Sequence, residues 1–271
     1  MNNTEQLVKK YTELNNKISK ISPKKKQILF IIFCAMVFFA LFISPVISIF
    51  LIVAYIGIKA TIKHFAFMKR FANENNLNYE FSIPSENLSG RLFSISNSEF
   101  TSNVLSGIHN ETPIKIFNYQ YTVGSGDNSR TYSFTISEIT TEKTNFPYIL
   151  LKSNSMPHYN SIDLFKKEKD IEISLEPEFK KTYSLYTNEG YEIEALQIFT
   201  ADLLMFLREN GSHFSIEFAN NKIYVYDDKL IRDEKDLSIL LDLTKKIIEK
   251  IGPFLNRLHD DFSALHAYYK K

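Results

Sequence analysis

Cysteine is almost absent from this chain. The single cysteine, Cys34, lies within an apolar run near the start of the sequence. The polar remainder can therefore form neither a disulfide nor a thiolate-bound metal site, and it has no cysteine nucleophile. Cysteine usage leaves the redox compartment open, because a domain without cysteine tolerates either kind.

Recognisable catalytic and ligand-binding motifs are also missing from the sequence. The six histidines form no pattern such as HExxH, and no GxSxG motif occurs. Residues 124–130, GSGDNSR, precede a second strand pattern rather than a helix, which favours a hairpin turn over a phosphate-binding loop. We therefore predict no catalytic residue, no cofactor and no metal, although a site assembled from distant residues leaves no motif.

The net charge of +1 conceals an uneven distribution. Residues 1–26 hold seven lysines against two glutamates, and residues 59–70 add four basic residues and no acid, which leaves −8 for residues 71–271. Phosphate backbones repel an acidic body of this kind, and it contains no basic stripe. We predict no nucleic-acid partner.

A long apolar run is the strongest single feature of the sequence. Residues 28–58 form a run of 31 residues, none of which has a charged side chain. A run of roughly 18 or more is typical of a membrane span, and a signal peptide has only about 7 to 15 apolar residues. One straight helix of this length would measure about 46 Å against about 30 Å of hydrocarbon. The length therefore favours two short spans over one tilted, kinked span.

The flanks and a central proline indicate where the chain would turn. Ser44 and Pro45 interrupt the run, and proline breaks a helix because it lacks an amide hydrogen. Both flanks are basic, and the positive-inside tendency then places both on the cytoplasmic side. This basic collar consists of Lys24, Lys25, Lys26, Lys59, Lys63, Lys69 and Arg70. We predict a transmembrane helical hairpin with a helical extension over residues 24–76.

Residues 1–23 carry an amphipathic pattern. Five apolar residues recur at spacings of four and three: Leu7, Tyr11, Leu14, Ile18 and Ile21. The pattern predicts a short helix that ends at Pro23. Two roles remain open, because the helix could lie on lipid headgroups or pair with a helix of this chain or of a second copy.

Residues 77–271 predict a cytoplasmic α+β domain, in which helices pack on a mostly antiparallel sheet. After an irregular connection over 77–103, alternating segments predict strands at 112–123, 130–140, 146–153, 170–175, 178–187, 213–219 and 222–228. Helices are predicted at 192–199 and 201–210, with Thr200 as N-cap of the second. A long helix begins at Asp233 and is expected to bend at Gly252-Pro253, and its wide apolar stripe favours packing on the sheet.

Several segments carry a family resemblance over roughly residues 25–230. They include SGIHNETPIKIFNYQYTVGSGDNSRTYSFTISEI, DIEISLEPEFKKTYSLY and FSIEFANNKIYVY. The order and content of these segments resemble a widespread set of uncharacterised bacterial membrane-anchored proteins, in which two N-terminal hydrophobic helices precede an α+β domain. The resemblance implies a bacterial origin and attachment to a membrane. It supplies no functional residue.

These features favour a non-enzymatic protein anchored in the inner membrane, whose domain acts as a protein-interaction or scaffold module. The expected partners are membrane lipid and an unidentified protein, and the expected contact surfaces are the long C-terminal helix and a hairpin containing Gly124, Gly126, Asp127 and Arg130. The alternative is a membrane-proximal sensor or enzyme for a small molecule or lipid, suggested by many aromatic strand residues. A transporter is disfavoured, because the short spans contain no ionisable residue.

Overall fold

The computed structural model describes residues 22–43, 45–84, 88–95, 99–141, 146–156, 170–231 and 233–269. The chain divides into two compact units, Met1–Glu74 and Asn75–Lys271. We call them the N-terminal unit and the sheet unit.

Two helices make up the described part of the N-terminal unit, α1 (Pro23–Ile43) and α2 (Pro45–Glu74). Their 21 and 30 residues correspond to lengths of about 32 and 45 Å. Among the helices that the structure describes, α2 is the one long and apolar enough to cross a membrane. Its apolar side chains point outwards: Val46 and Phe50 are 72% and 71% exposed.

The expected hairpin and amphipathic helix are only partly covered by these residues. Helix α1 ends at Ile43 and α2 begins at Pro45, while Ser44 lies outside the described residues. One membrane-length apolar helix is therefore established, and the second crossing stays a prediction. The predicted amphipathic helix over 1–23 lies outside the described residues except for its last two positions.

A nine-stranded antiparallel sheet forms the sheet unit, with strand order β1-β2-β3-β4-β9-β8-β5-β7-β6. The strands are β1 (Asn78–Glu80), β2 (Glu99–His109), β3 (Thr112–Val123), β4 (Arg130–Thr140), β5 (Phe146–Ser153), β6 (Asp170–Ile173), β7 (Tyr183–Asn188), β8 (Ser215–Asn220) and β9 (Lys222–Asp227). The helices are α3 (Pro177–Lys180), α4 (Glu192–Ile198), α5 (Ala201–Gly211) and α6 (Glu234–Tyr269). The predicted α+β class with an antiparallel sheet is confirmed.

Helices cover one face of the sheet, which we call the helix face. The hydroxyl of Thr244 on α6 lies 2.8 Å from that of Ser137 on β4, and the α6 residues Leu240 and Ile247 are fully buried. Thr200 caps α5 as expected, since its hydroxyl accepts a hydrogen bond from the amide of Leu203. The wide apolar stripe of α6 is thus a sheet-packing face along its first half.

Aromatic side chains fill the opposite face, which we call the tyrosine face. Tyr119 pairs with Phe134 across β3 and β4, and Ile136 pairs with Tyr226 across β4 and β9, so all four project to the same side. Tyr119, Tyr121, Tyr224 and Tyr226 are at most 1% exposed. The hydroxyl of a buried tyrosine usually forms a hydrogen bond. The residues that cover this face must therefore supply polar as well as apolar contacts.

Two local predictions are wrong. Residues 77–103 were expected to form an irregular connection, but they contain β1 and the first five residues of β2. The predicted strand over 178–187 begins later, because Pro177 starts the single helical turn α3 and β7 begins at Tyr183. The bend at Gly252-Pro253 stays a prediction.

Candidate functional site

A short covering segment, residues 88–95, lies on the tyrosine face. It contains one 3₁₀ turn, Arg91–Ser94, in which Leu92 is fully buried. The ring of Phe93 meets Tyr119 and Tyr224 edge-on, at centroid distances of 4.9 and 5.0 Å. The amide of Ser89 also donates to the Tyr224 hydroxyl at 3.0 Å. The covering segment therefore supplies both the apolar contact and the polar partner that this face requires.

Arg91 fastens the covering segment to the edge strand β6. Its guanidinium donates two hydrogen bonds to the carboxylate of Asp170, one of them 2.9 Å long. The Asp170 side chain is fully buried, and Asn188 on β7 donates to it at 3.3 Å. The guanidinium also lies over the ring of Tyr148, with its central carbon 3.2 Å from the ring centroid. This bidentate, stacked geometry is specific to arginine.

A second carboxylate, that of Glu217 on β8, holds the backbone of the same segment. Glu217 is fully buried, and one of its oxygens accepts the Arg91 amide at 2.8 Å while the other accepts the Tyr226 hydroxyl. The chain passes very close here: a Cβ on Gly90 would lie 2.5 Å from the Tyr226 hydroxyl oxygen and 2.9 Å from Glu217 Oε2. Only glycine fits at position 90 without displacing this bond.

We call Arg91, Asp170, Glu217, Tyr148 and Tyr226 the clasp. Burial lowers the pKa of Arg91, but its hydrogen bond to Asp170 and the nearby Glu217 raise that pKa above the ordinary value. Burial and the nearby Glu217 raise the pKa of Tyr148 above its ordinary value. All four oxygens of Asp170 and Glu217 accept hydrogen bonds. The clasp is thus suited to holding the covering segment in place, because its carboxylates are already engaged.

A second polar cluster lies on the helix face, where β9 ends. Asp227 has a side chain only 3% exposed, and its Oδ2 lies 3.9 Å from both His213 Nε2 and Lys229 Nζ. That oxygen has no hydrogen-bond partner among the described residues. Burial raises the pKa of Asp227 to about 7, against an opposing effect of Lys229. The same burial, with Lys229 nearby, lowers the pKa of His213.

The predicted contact hairpin joins β3 and β4, and its turn residues are exposed. Gly124 and Gly126 have φ of +83° and +58°, and the amide of Ser129 donates to the carbonyl of Gly126 at 3.1 Å. A Cβ on Gly124 would lie 2.7 Å from the Asn128 carbonyl oxygen. Asp127 lies at the tip and Arg130 begins β4, so the turn presents two opposite charges in a defined backbone shape.

The basic collar is exposed wherever the structure describes it. Lys24 and Lys25 are at the start of α1, and Lys59, Lys63, Lys69 and Arg70 are on α2; the Lys26 side chain lies outside the described part. Arg70 lies 3.7 Å from Glu74 one turn later, and the Lys69 ammonium lies 4.7 Å from the Phe65 ring centroid.

The described residues offer little room for a small ligand or a metal ion. A pocket of about 180 Å³ beside β6 is lined by Glu172, Lys180 and Tyr183 among others. Ligand sites usually measure about 300–1,000 Å³, so this one is small. Within the described ranges, no three histidine, cysteine or acidic residues are grouped as metal ligands.

Sequence reasoning missed the clasp and the Asp227 cluster. The clasp residues are far apart in the chain: Arg91 contacts Asp170 and Glu217, which are 79 and 126 residues away. One signal was present, because Glu217 interrupts the apolar segment FSIEFA at a position that continues the buried pattern of β8. A carboxylate there requires internal donors.

A distant structural similarity links the chain to a known protein. No family model matches the chain, and no curated protein matches it. A crystal structure of the mycobacterial trehalose monomycolate transport factor A, TtfA, is similar at a TM-score of 0.46 and 11% identity, over 68% of this chain and 93% of that chain. At that level of similarity, the match carries no argument about function.

Proposed function

We propose that this chain is a non-enzymatic protein anchored in the bacterial inner membrane, whose sheet unit faces the cytoplasm and binds another protein. The observation that carries the proposal is the outward-facing apolar surface of α2. Val53, Ile56 and Ile58 are each about 60% exposed, in addition to Val46 and Phe50. Soluble proteins rarely expose apolar surface on this scale, whereas hydrocarbon accommodates it.

Two crossings are supported by contacts between α1 and α2. The rings of Phe33 and Tyr55 stack with centroids 4.5 Å apart, and Phe30 lies 6.0 Å from the same tyrosine. Phe33 and Tyr55 are each 11 residues from Ser44. Ring contacts at equal sequence distance from the break between the two helices are the geometry of an antiparallel pair. With basic residues on both flanks, such a pair directs the sheet unit to the cytoplasm.

The β3–β4 hairpin is the surface proposed to contact the protein partner. Residues 124–131 are all exposed, and the two positive-φ glycines fix the turn that carries Asp127 and Arg130. A preformed turn loses little conformational entropy on binding, which favours its use in recognition.

A charge exchange in the hairpin tests the proposal. The variant Asp127→Lys/Arg130→Asp keeps the net charge but reverses the sign of the charge at both positions. We expect it to reduce recovery of a partner from solubilised membranes by about tenfold. The matched control is Lys181→Asp/Glu189→Lys, which exchanges two exposed charges elsewhere in the sheet unit. Quantitative mass spectrometry of material co-purified with each full-length protein measures the effect.

Equal recovery with all three proteins would exclude the hairpin as the contact surface. Failure of the unaltered protein to enrich any partner above an empty-membrane background would contradict the interaction role itself.

A further inference from the structure

Four exposed lysines of α1 and α2 lie in a part of the described chain that contains no acidic residue. Lys24 and Lys25 are in α1, Lys59 and Lys63 are in α2, and residues 22–73 contain neither aspartate nor glutamate. Among the described residues of this unit, the ion pair found joins Arg70 to Glu74 and involves none of the four. We call these four residues the lysine belt.

Helix geometry brings the members of the belt to similar levels. Lys25 precedes Phe33 by eight residues and Lys63 follows Tyr55 by eight, which places each about 12 Å along its helix from the stacked rings. Because α1 and α2 are antiparallel, Lys25 and Lys63 are both displaced from the stacked rings toward the same end of the helix pair. Lys59 and Lys63 are four residues apart and therefore share one side of α2.

Apolar side chains next to the belt restrict what can occupy it. Ile56 and Ile58 are 60% and 59% exposed and lie within one turn of Lys59, whose ammonium is 5.9 Å from the Tyr55 ring centroid. An occupant must therefore accept hydrocarbon side chains and cations within a few ångströms of each other. A phospholipid with an anionic headgroup does both, because lysine stems pack along acyl chains while their ammonium groups reach the phosphate.

We propose that the lysine belt is a binding site for the headgroups of anionic phospholipids, so that the protein selects its surrounding lipid. This inference rests on the proposed membrane insertion of α1 and α2. Each basic residue near an anionic membrane surface contributes about a fivefold preference, so the belt acts additively rather than through one essential residue.

Lipid enrichment around the full-length protein tests the inference. The protein is reconstituted into vesicles of equal phosphatidylglycerol and phosphatidylcholine and extracted with its nearest lipids in polymer-bounded discs, whose composition is then measured. We expect enrichment of phosphatidylglycerol around the unaltered protein and a loss of roughly tenfold or more of that preference in Lys59→Gln/Lys63→Gln. Lys180→Gln/Lys181→Gln removes the same charge from the sheet unit and should keep the preference.

The outcomes separate lipid selection from membrane insertion. Equal enrichment in the belt variant and the unaltered protein would overturn the lipid site while leaving the anchor intact. Absence of the protein from the discs would contradict insertion and the site together.

Discussion

Replacing Arg91 with alanine is expected to lower the free energy of unfolding by about 3 to 5 kcal/mol. The reason is the buried carboxylate that the substitution leaves behind. Asp170 is fully buried, and two of its hydrogen bonds come from the Arg91 guanidinium. Without that cation the buried carboxylate loses its charge partner, and the hydrogen bond that Asn188 donates, 3.3 Å long, does not replace it. The stacking on Tyr148 is lost as well.

Denaturant unfolding of the full chain in detergent, followed by near-ultraviolet circular dichroism of the tyrosines, measures this effect. Arg130→Ala is the matched control, because it removes an exposed arginine at the hairpin and should change stability by no more than about 0.5 kcal/mol. The double variant Arg91→Met/Asp170→Leu should recover most of the loss, since it removes both buried charges together. A loss below about 1 kcal/mol in Arg91→Ala would show that the clasp does not hold the covering segment.

Replacing Asp227 with asparagine is expected to stabilise the protein at pH 8 and to have little effect near pH 4. Burial raises the folded-state pKa of Asp227 to about 7 from an ordinary value of 3.8. A raised carboxyl pKa means that the folded state favours the protonated form. The contribution of Asp227 to the free energy of unfolding is therefore fully present below pH 3.8 and is lost as the pH rises through about 7. Asparagine cannot ionise, so it avoids a loss of up to about 4 kcal/mol.

Unfolding of the two proteins at a series of pH values between 4 and 8 measures the difference. Glu209→Gln serves as the control, because it neutralises an exposed carboxylate on α5 and should leave the pH profile unchanged. His213 and Lys229 are present in both proteins and lie 3.9 Å from the Asp227 carboxylate. A constant difference between Asp227→Asn and the unaltered protein across this range would show that Asp227 is ionised throughout and paired with these two residues.

The parts of the fold that sequence reasoning predicted are those with strong local patterns. The β3–β4 hairpin has alternating β-branched and aromatic residues around a glycine-rich turn, and Thr200 begins α5 with a side chain that can cap it. β2 was missed because its sequence, EFTSNVLSGIH, is rich in serine and asparagine and has a register shift after Ser102. Its pairing with β3 outweighs its weak local preference for strand.

The clasp could not be predicted from local sequence patterns, for a different physical reason. Its residues come from the covering segment and from β5, β6, β8 and β9, so only the folded sheet brings them together. Burial, which decides whether Asp170 and Asp227 are ordinary surface acids or confined charges, is a property of the packed domain. The basic collar, in contrast, was visible because membrane insertion depends on composition along a continuous segment.

Thiol labelling tests the membrane arrangement most directly, because the chain has a single native cysteine. In Cys34→Ser/Asp127→Cys the only thiol lies at the exposed tip of the hairpin. The protein should sediment with the membrane, and a membrane-impermeant maleimide should label it in inside-out vesicles but not in sealed right-side-out ones. Labelling in intact right-side-out vesicles, or recovery of the protein in the soluble fraction, would contradict an even number of crossings with a cytoplasmic sheet unit.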